Sequence, residues 1–433
     1  YRKVPKIPIV DYLKPREEVR WISYSRAGEP IARTELFIVD ILSKTQTRVE
    51  TGLGPDQYAL IIGWRSDGSE LLFYRVDRYW ERVDLMGANS ATGRARLILS
   101  ESHPWFGRGQ GQKTFTLLKN RDQFIWISER NGWYHLYLYA MNGKLIRRLT
   151  KGTFPVMEVV AVDEERGWVY FTARAEKRLY DTHLYRIDLE GNNFTRLTEG
   201  AGQHEIVFAP STEFFLDTHS NVDRPPTVEL RRVDGTLLQV LSKATIDALV
   251  DELKWQPPEE FVVKAADEKT ALYGTLYKPY DFDPNKKYPV IEVIYGAAAE
   301  VPHTFTHPHG VDFHAEHAQA LAQLGFIAFQ VDNRALWGRE RGKKFGNEIY
   351  GNIGRHEIPD HVATLEQLAE KRPHMDLSRV GIFGHSWGGY FTIRALLLAP
   401  DVYHVGVASA PVVDPYYGNA MEVYLGLPQN NKE

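Results

Sequence analysis

The sequence predicts two architectures in one chain: a β-propeller array over residues 1–256, with about five blades visible, and an α/β domain with a parallel sheet over residues 257–433. Three observations carry that reading. A β-rich segment recurs without a gap at an offset of 48 residues, from His135 to His183. Near Pro257-Pro258 the short strands give way to strands alternating with helical patterns. Late in the chain, the apolar run Val380–Phe383 enters Gly384-His-Ser-Trp-Gly388, and a helical pattern leaves it from about Tyr390.

The repeat runs His135-Leu-Tyr-Leu-Tyr-Ala-Met-Asn-Gly143, then Arg148-Leu-Thr-Lys-Gly152. It returns as His183-Leu-Tyr-Arg-Ile-Asp-Leu-Glu-Gly191, then Arg196-Leu-Thr-Glu-Gly200. Looser copies stand at Glu35–Asp40 and Val228–Gly235. Each reads as two strands and a polar turn followed by a further strand, and a period in the forties fits propeller blades. Paired hairpins in a sandwich are the alternative, which an ungapped repeat disfavours. The blades fit between Tyr24 and Val263. A propeller closes to protect its strand edges, so an incomplete set leads to the expectation that sequence precedes Tyr1.

After Pro257-Pro258, Glu260–Lys264 and Leu272–Tyr277 read as a hairpin-like pair, and Val290–Tyr295 as a nearly continuous apolar strand. Helix 314–324, strand 326–331, helix 359–371, strand 380–383, a helix from 390 and a buried strand 405–408 complete the pattern. Such alternation builds a parallel sheet covered by helices.

Ser386 stands at the centre of a Gly-x-Ser-x-Gly pentapeptide in strand–turn–helix context, which is what the nucleophile elbow of an α/β-hydrolase requires. Gly384 and Gly388 have no Cβ, so the turn can tighten and lift the serine hydroxyl clear of the sheet. The Trp387 N–H is then placed to donate to an oxyanion. A plain Ser-Gly loop is the bland alternative, and the context disfavours it. In this fold an acid and then a histidine follow the serine in the chain. Only 47 residues follow Ser386, and His404 is the one histidine among them. The acid and base are therefore expected beyond residue 433, with the α/β-hydrolase domain incomplete here and the isolated chain inactive. His385, covalently adjacent to the serine, is read as shaping the turn.

Composition narrows the field. A net charge of −4 and the lack of a basic stripe argue against nucleic acid as a partner. No apolar run approaches a membrane span. The chain has no cysteine, which excludes disulfides, thiolate catalysis and cysteine-ligated zinc. His303, His307, His309, His314 and His317 crowd one segment, but no His-Glu-x-x-His occurs and no metal site is assigned. Gly107–Gly111 reads as a loop between blades and not as a phosphate cradle, and His356 and His361 as surface residues at a helix entry.

With both architectures in view, the chain resembles the prolyl oligopeptidase superfamily of serine peptidases, and within it the dipeptidyl peptidase IV branch in its bacterial form. The carrying segments are Tyr24–Pro30, Trp126–Tyr137, Asp332-Asn-Arg334, Gly384–Tyr390 and Ala410-Pro-Val412. The resemblance implies a peptidase in which Ser386 attacks the peptide carbonyl and Tyr295 donates its hydroxyl to the oxyanion beside the Trp387 N–H. It implies that Tyr417, with Tyr416 and Val412 as neighbours, lines a pocket for proline or alanine. A second tyrosine simply covering the core is a reading almost equal for Tyr416.

Two departures weaken strict proline preference. Tyr417–Tyr424 is shorter than the usual segment and lacks its middle tyrosine, and Asp332-Asn-Arg-Ala-Leu-Trp-Gly338 replaces the usual Asp-x-Arg-Gly motif. The glutamates that hold a substrate amine in this branch are expected before residue 1, and Glu17-Glu18, Glu164-Glu165 and Glu259-Glu260 are not assigned to that task. The implied function is a serine exopeptidase releasing dipeptides from short peptides, with no metal or organic cofactor. An oligopeptidase or acylaminoacyl peptidase, or a non-catalytic propeller interaction protein, remains the alternative. The resemblance further implies a homodimer and a periplasmic or secreted location.

Overall fold

The computed structural model describes residues 3–52, 54, 56–102, 114–296, 304–305, 313–334, 341–348, 350–418 and 421–429. The histidines at 303, 307 and 309, the 107–111 loop and residues 335–338 lie outside these.

The chain opens with the hairpin β1 (Lys6–Asp11) and β2 (Glu18–Ser23), then the short pair β3 (Phe37–Val39) and β4 (Gln46–Arg48). Among the described residues, four four-stranded sheets follow. The first holds β5 (Gln57–Trp64), β6 (Glu70–Asp77), β7 (Arg82–Asn89) and β8 (Ala95–Ser102). The second holds β9 (Phe115–Leu118), β10 (Gln123–Ser128), β11 (His135–Ala140) and β12 (Leu145–Arg148). The third holds β13 (Val156–Asp163), β14 (Trp168–Ala173), β15 (His183–Asp188) and β16 (Thr195–Arg196). The fourth holds β17 (Gln203–Phe208), β18 (Phe214–Asn221), β19 (Arg224–Arg232) and β20 (Leu237–Lys243). Strands consecutive in the chain are neighbours in every sheet, which is the meander of a propeller blade.

The 48-residue repeat is a repeat of contacts. Gly143 (φ 84°) and Gly191 (φ 80°) close equivalent turns. Leu149 N–H bonds to Leu136 O and Leu197 N–H to Leu184 O, both at 2.8 Å. In each blade a threonine oxygen accepts the leucine N–H and pairs with a buried histidine: His135 Nδ1 lies 2.9 Å from Thr150 Oγ1, and His183 Nδ1 3.0 Å from Thr198 Oγ1. His135 Nε2 faces Gly152 O at 3.1 Å. Each of these polar groups therefore has a partner despite burial.

Helix α1 (Asp247–Leu253) precedes a six-stranded sheet of β21 (Glu259–Lys264), β22 (Ala271–Tyr277), β23 (Tyr288–Val293), β24 (Ile327–Val331), β25 (Met375–His385) and β26 (Val405–Ser409). Its order is β21-β22-β24-β23-β25-β26, antiparallel over the first three strands and parallel from β24 to β26. Helices α2 (Phe313–Gln323), α3 (Gly342–Gly346), α4 (Glu357–Lys371), α5 (Trp387–Leu398) and α6 (Glu422–Leu425) complete the chain. All five residues of β24 are buried, as a central strand between helix layers demands.

The chain forms two compact units, Tyr1–Trp126 with Tyr137–Arg147 and Asp414–Glu433, and Ile127–Leu136 with Arg148–Val413. Leu72, Leu85, Phe124, Trp126 and Tyr139 are in the core of the first, with Val423 packed against them. The second has a blade cluster of Tyr170, Leu184, Leu197 and Phe215, and a sheet-face cluster that includes Val293, Ala318 and Ala328.

Three readings of the sequence change. Helix α5 begins at Trp387, not near Tyr390, because Gly388 and Gly389 are drawn into its first turn. Strand β26 is an edge among the described residues, with Val405 and Val407 more than half exposed. His361 is not at the surface; it is fully buried.

Candidate active site

Strand β25 runs between β23 and β26, and its last residue, His385, hands the chain to Ser386. Ser386 adopts φ 58°, ψ −112°, a conformation that non-glycine residues seldom occupy. Its N–H bonds to Ser409 O at 2.9 Å. Its carbonyl accepts Val412 N–H at 3.2 Å and, as the first link of α5, Tyr390 N–H at 3.1 Å. His385 Nδ1 turns toward Ser409 Oγ at 3.0 Å. This is a nucleophile elbow.

The glycines are needed for room. A Cβ on Gly388 would run into the Ile294 carbonyl oxygen, one on Gly384 would lie 2.6 Å from that same oxygen, and one on Gly389 2.7 Å from Ser409 O. The elbow is thus pressed against the end of β23. A Gly388 Cβ would also be only 3.2 Å from Tyr295 Cα, so the loop carrying Tyr295 adjoins the elbow. Tyr295 lies two residues past the end of β23 and is half-buried. Trp387 is buried, with its ring edge-on to Tyr390 at 5.4 Å. The second unit therefore brings together Ser386, Trp387, Tyr295 and Val412. Among the described residues no imidazole hydrogen-bonds the Ser386 hydroxyl.

Tyr416 and Tyr417 belong to the first unit. The Tyr417 ring lies 5.4 Å from that of Tyr24, with the Arg26 guanidinium 5.3 Å from its centroid. Ala27 N–H bonds to Tyr416 O at 3.2 Å. Glu422, fully buried in α6, accepts Gly28 N–H at 2.6 Å and two Arg78 donors at 2.5 Å each, which fastens the segment that carries both tyrosines.

The donors of Asp217, His219 and Glu229 form one candidate metal cluster among the described residues, within 4.8 Å of one another. Arg231 lies 2.7 Å from Glu229 and 3.7 Å from Asp217, so a fixed cation already serves these carboxylates.

Sequence reasoning missed a second set of buried polar groups in the six-stranded-sheet domain. Glu292 of β23, His361 of α4, Asn333 and Tyr403 are buried and hydrogen-bonded in one set, and Asp360 of α4 is buried and paired with the buried Arg334. Burial raises the Asp360 carboxyl, against the pull of Arg334, and burial raises Glu357 as well. The Tyr403 hydroxyl is raised by burial and by Glu292. Two signals in the sequence point here: a glutamate inside the apolar run of β23, and a histidine in register with Ile358, Leu365 and Leu368 on the buried stripe of α4.

Fold and elbow together define a serine-nucleophile α/β-hydrolase linked to propeller blades. Residues 1–226, just over half the chain, match the dipeptidyl peptidase IV (DPP IV) N-terminal region, and residues 311–430 match the prolyl oligopeptidase family. The chain belongs to the prolyl oligopeptidase family of serine peptidases, in its dipeptidyl peptidase IV branch. Dipeptidyl peptidase 8 of Homo sapiens is 34% identical over 283 residues, 63% of this chain and 31% of its own length. Dipeptidyl peptidase 4 of Trichophyton equinum is 25% identical over 413 residues, 92% of this chain and 52% of its own. The crystal structure of Porphyromonas gingivalis dipeptidyl peptidase 4 superposes with a TM-score of 0.84 at 25% identity, covering 99% of this chain and 60% of that one. The chain thus spans between about a third and about three fifths of these relatives.

Proposed function

We propose that this chain carries the nucleophile of a serine exopeptidase that releases dipeptides, after proline or alanine, from the N-terminus of short peptides. The observation that carries the proposal is Ser386, held at φ 58° between β25 and α5. Its oxygen attacks the scissile carbonyl as a histidine base accepts its proton, the leaving amine takes a proton, and water then hydrolyses the acyl-enzyme. The Trp387 N–H and the Tyr295 hydroxyl are the donors for the oxyanion, where loss of one donor removes about 2.7–4 kcal/mol of transition-state stabilisation. The resemblance to the family assigns Tyr417, Tyr416 and Val412 to the recognition of the residue before the scissile bond. No organic cofactor or metal enters this chemistry. Membership of the family and the names of the relatives above support the reading.

The test combines a fluorophosphonate probe with intact-mass analysis of the protein as isolated from its source cell, followed by chromogenic aminoacyl-prolyl and aminoacyl-alanyl substrates with free or blocked amines. A single adduct on Ser386 and turnover only of free-amine substrates are expected. Turnover of blocked substrates would move the protein to the oligopeptidase or acylaminoacyl class, and absence of any adduct would sink the hydrolase reading. A homodimer and a periplasmic or secreted location belong to the same proposal and are read by sedimentation and by cell fractionation.

A further inference from the structure

Two loops leave neighbouring parallel strands at the same end of the sheet: 294–296 after β23, which adjoins the elbow, and Asp332–Arg334 after β24. A single imidazole joins the elements that carry them. His361 Nδ1 is hydrogen-bonded to the Glu292 carboxylate, and its Nε2 meets Asn333 Oδ1 at 2.5 Å. Glu292 sits three residues before Tyr295, and its second oxygen accepts the Tyr403 hydroxyl at 2.6 Å. His361, Glu292 and Asn333 are all buried.

The charges in this place have to balance, because an ionised carboxylate cannot be kept from water without a cation beside it. Arg334 is already engaged by Asp360 at 2.9 Å, Asp267 at 3.0 Å and Glu348 at 3.2 Å. Among the described residues, His361 is the only group able to carry positive charge that is hydrogen-bonded to Glu292. Each of its ring nitrogens faces an oxygen acceptor, and only the doubly protonated ring can donate to both. The other titratable groups around it agree. Glu357 and Asp360 on its own helix have their carboxyls raised by burial, and a positive His361 would act against that rise. From beyond α5, Tyr403 holds its proton firmly and donates to Glu292.

We propose that His361 is a positioning residue for the Ser386 site, acting as a buried imidazolium that clamps Glu292 to Asn333. It thereby fixes the Tyr295 loop beside the elbow and the Asp332–Arg334 loop at the same end of the sheet. The proposal rests on the hydrolase reading for the roles of Ser386 and Tyr295. Loss of the imidazole proton leaves Glu292 without its cation, so the clamp slackens when the ring becomes neutral.

The experiment compares wild type, His361→Gln and the double variant Glu292→Gln/His361→Gln. Glutamine keeps the size and one donor but no charge, and the double variant removes both charges together. His361→Gln is expected to be less stable than wild type wherever the wild-type ring is doubly protonated, with the two curves converging once the ring is neutral and the double variant recovering most of the loss. The same single variant should label Ser386 with a fluorophosphonate roughly tenfold more slowly, through the rate of bond formation and not through probe affinity. Nitrogen-15 NMR of the imidazole should show a doubly protonated ring near neutral pH.

A neutral ring there overturns the proposal, as does a His361→Gln protein with wild-type labelling and a wild-type pH–stability curve. If wild type itself takes no label, the hydrolase reading is what has failed. The NMR state and the stability cycle then decide the clamp by themselves.

Discussion

In the blades around β11 and β15, a buried imidazole is served by a threonine fifteen residues further along the chain. In the six-stranded sheet, the buried imidazole of His361 is served by groups 69 and 28 residues away, and Glu292 in turn by one 111 residues away. The first arrangement is neutral and local, and it is copied from blade to blade. The second is charged and made once, by the convergence of β23, β24 and α4. A blade can therefore lose its clamp without disturbing its neighbours much, whereas the sheet loses a set of mutually dependent groups when any one is removed.

The sharpest way to break the comparison is Gly388→Ala. Its Cβ meets the Ile294 backbone, so the elbow and β23 must part, and a loss of at least about 3 kcal/mol in denaturant unfolding is expected, or failure to fold. Tyr403→Phe is next. It removes a donor from a buried carboxylate and should destabilise by about 2–3 kcal/mol. Thr150→Val and Thr198→Val each leave an imidazole nitrogen and a leucine N–H unpaired, and each should lose roughly 1–2 kcal/mol. If the two blade variants differ widely from each other, the clamps are not equivalent and the contrast drawn above weakens.

Acid provides a gentler probe. Burial pushes His135 and His183 down to about 4 from 6.5, so both are neutral in the folded chain at neutral pH. The unfolded chain binds these protons first. The stability associated with each histidine is therefore complete above about pH 6.5 and falls as pH drops toward about 4, by roughly 1.4 kcal/mol per pH unit for each. Replacing both by glutamine should flatten that part of the pH–stability curve. The smallest effect is at the surface, where Glu18→Gln breaks the exposed pair with Lys14 and should change stability by less than about 0.5 kcal/mol.

The same contrast explains what could be read from the amino acids alone. The blades were legible because their partners recur at a fixed offset, and Ser386 because an elbow needs glycines within two residues of the nucleophile. His361 was misread because its neighbours in sequence, Pro359 and Asp360, look like a helix entry, while its partners come from other strands. Nor does the sequence show that Gly388 adjoins Tyr295, since that contact exists only once β23 and β25 lie side by side. Tyr416 and Tyr417 were identified by resemblance; the Arg78–Glu422 pair that secures their segment joins residues 344 positions apart.

The backbone of Ser386 has one more consequence. Glycine would enter φ 58°, ψ −112° without the steric penalty that a side chain meets there. Ser386→Gly should therefore yield a protein roughly 1 kcal/mol more stable than wild type and incapable of forming an acyl adduct. Durability and reactivity compete at this one residue.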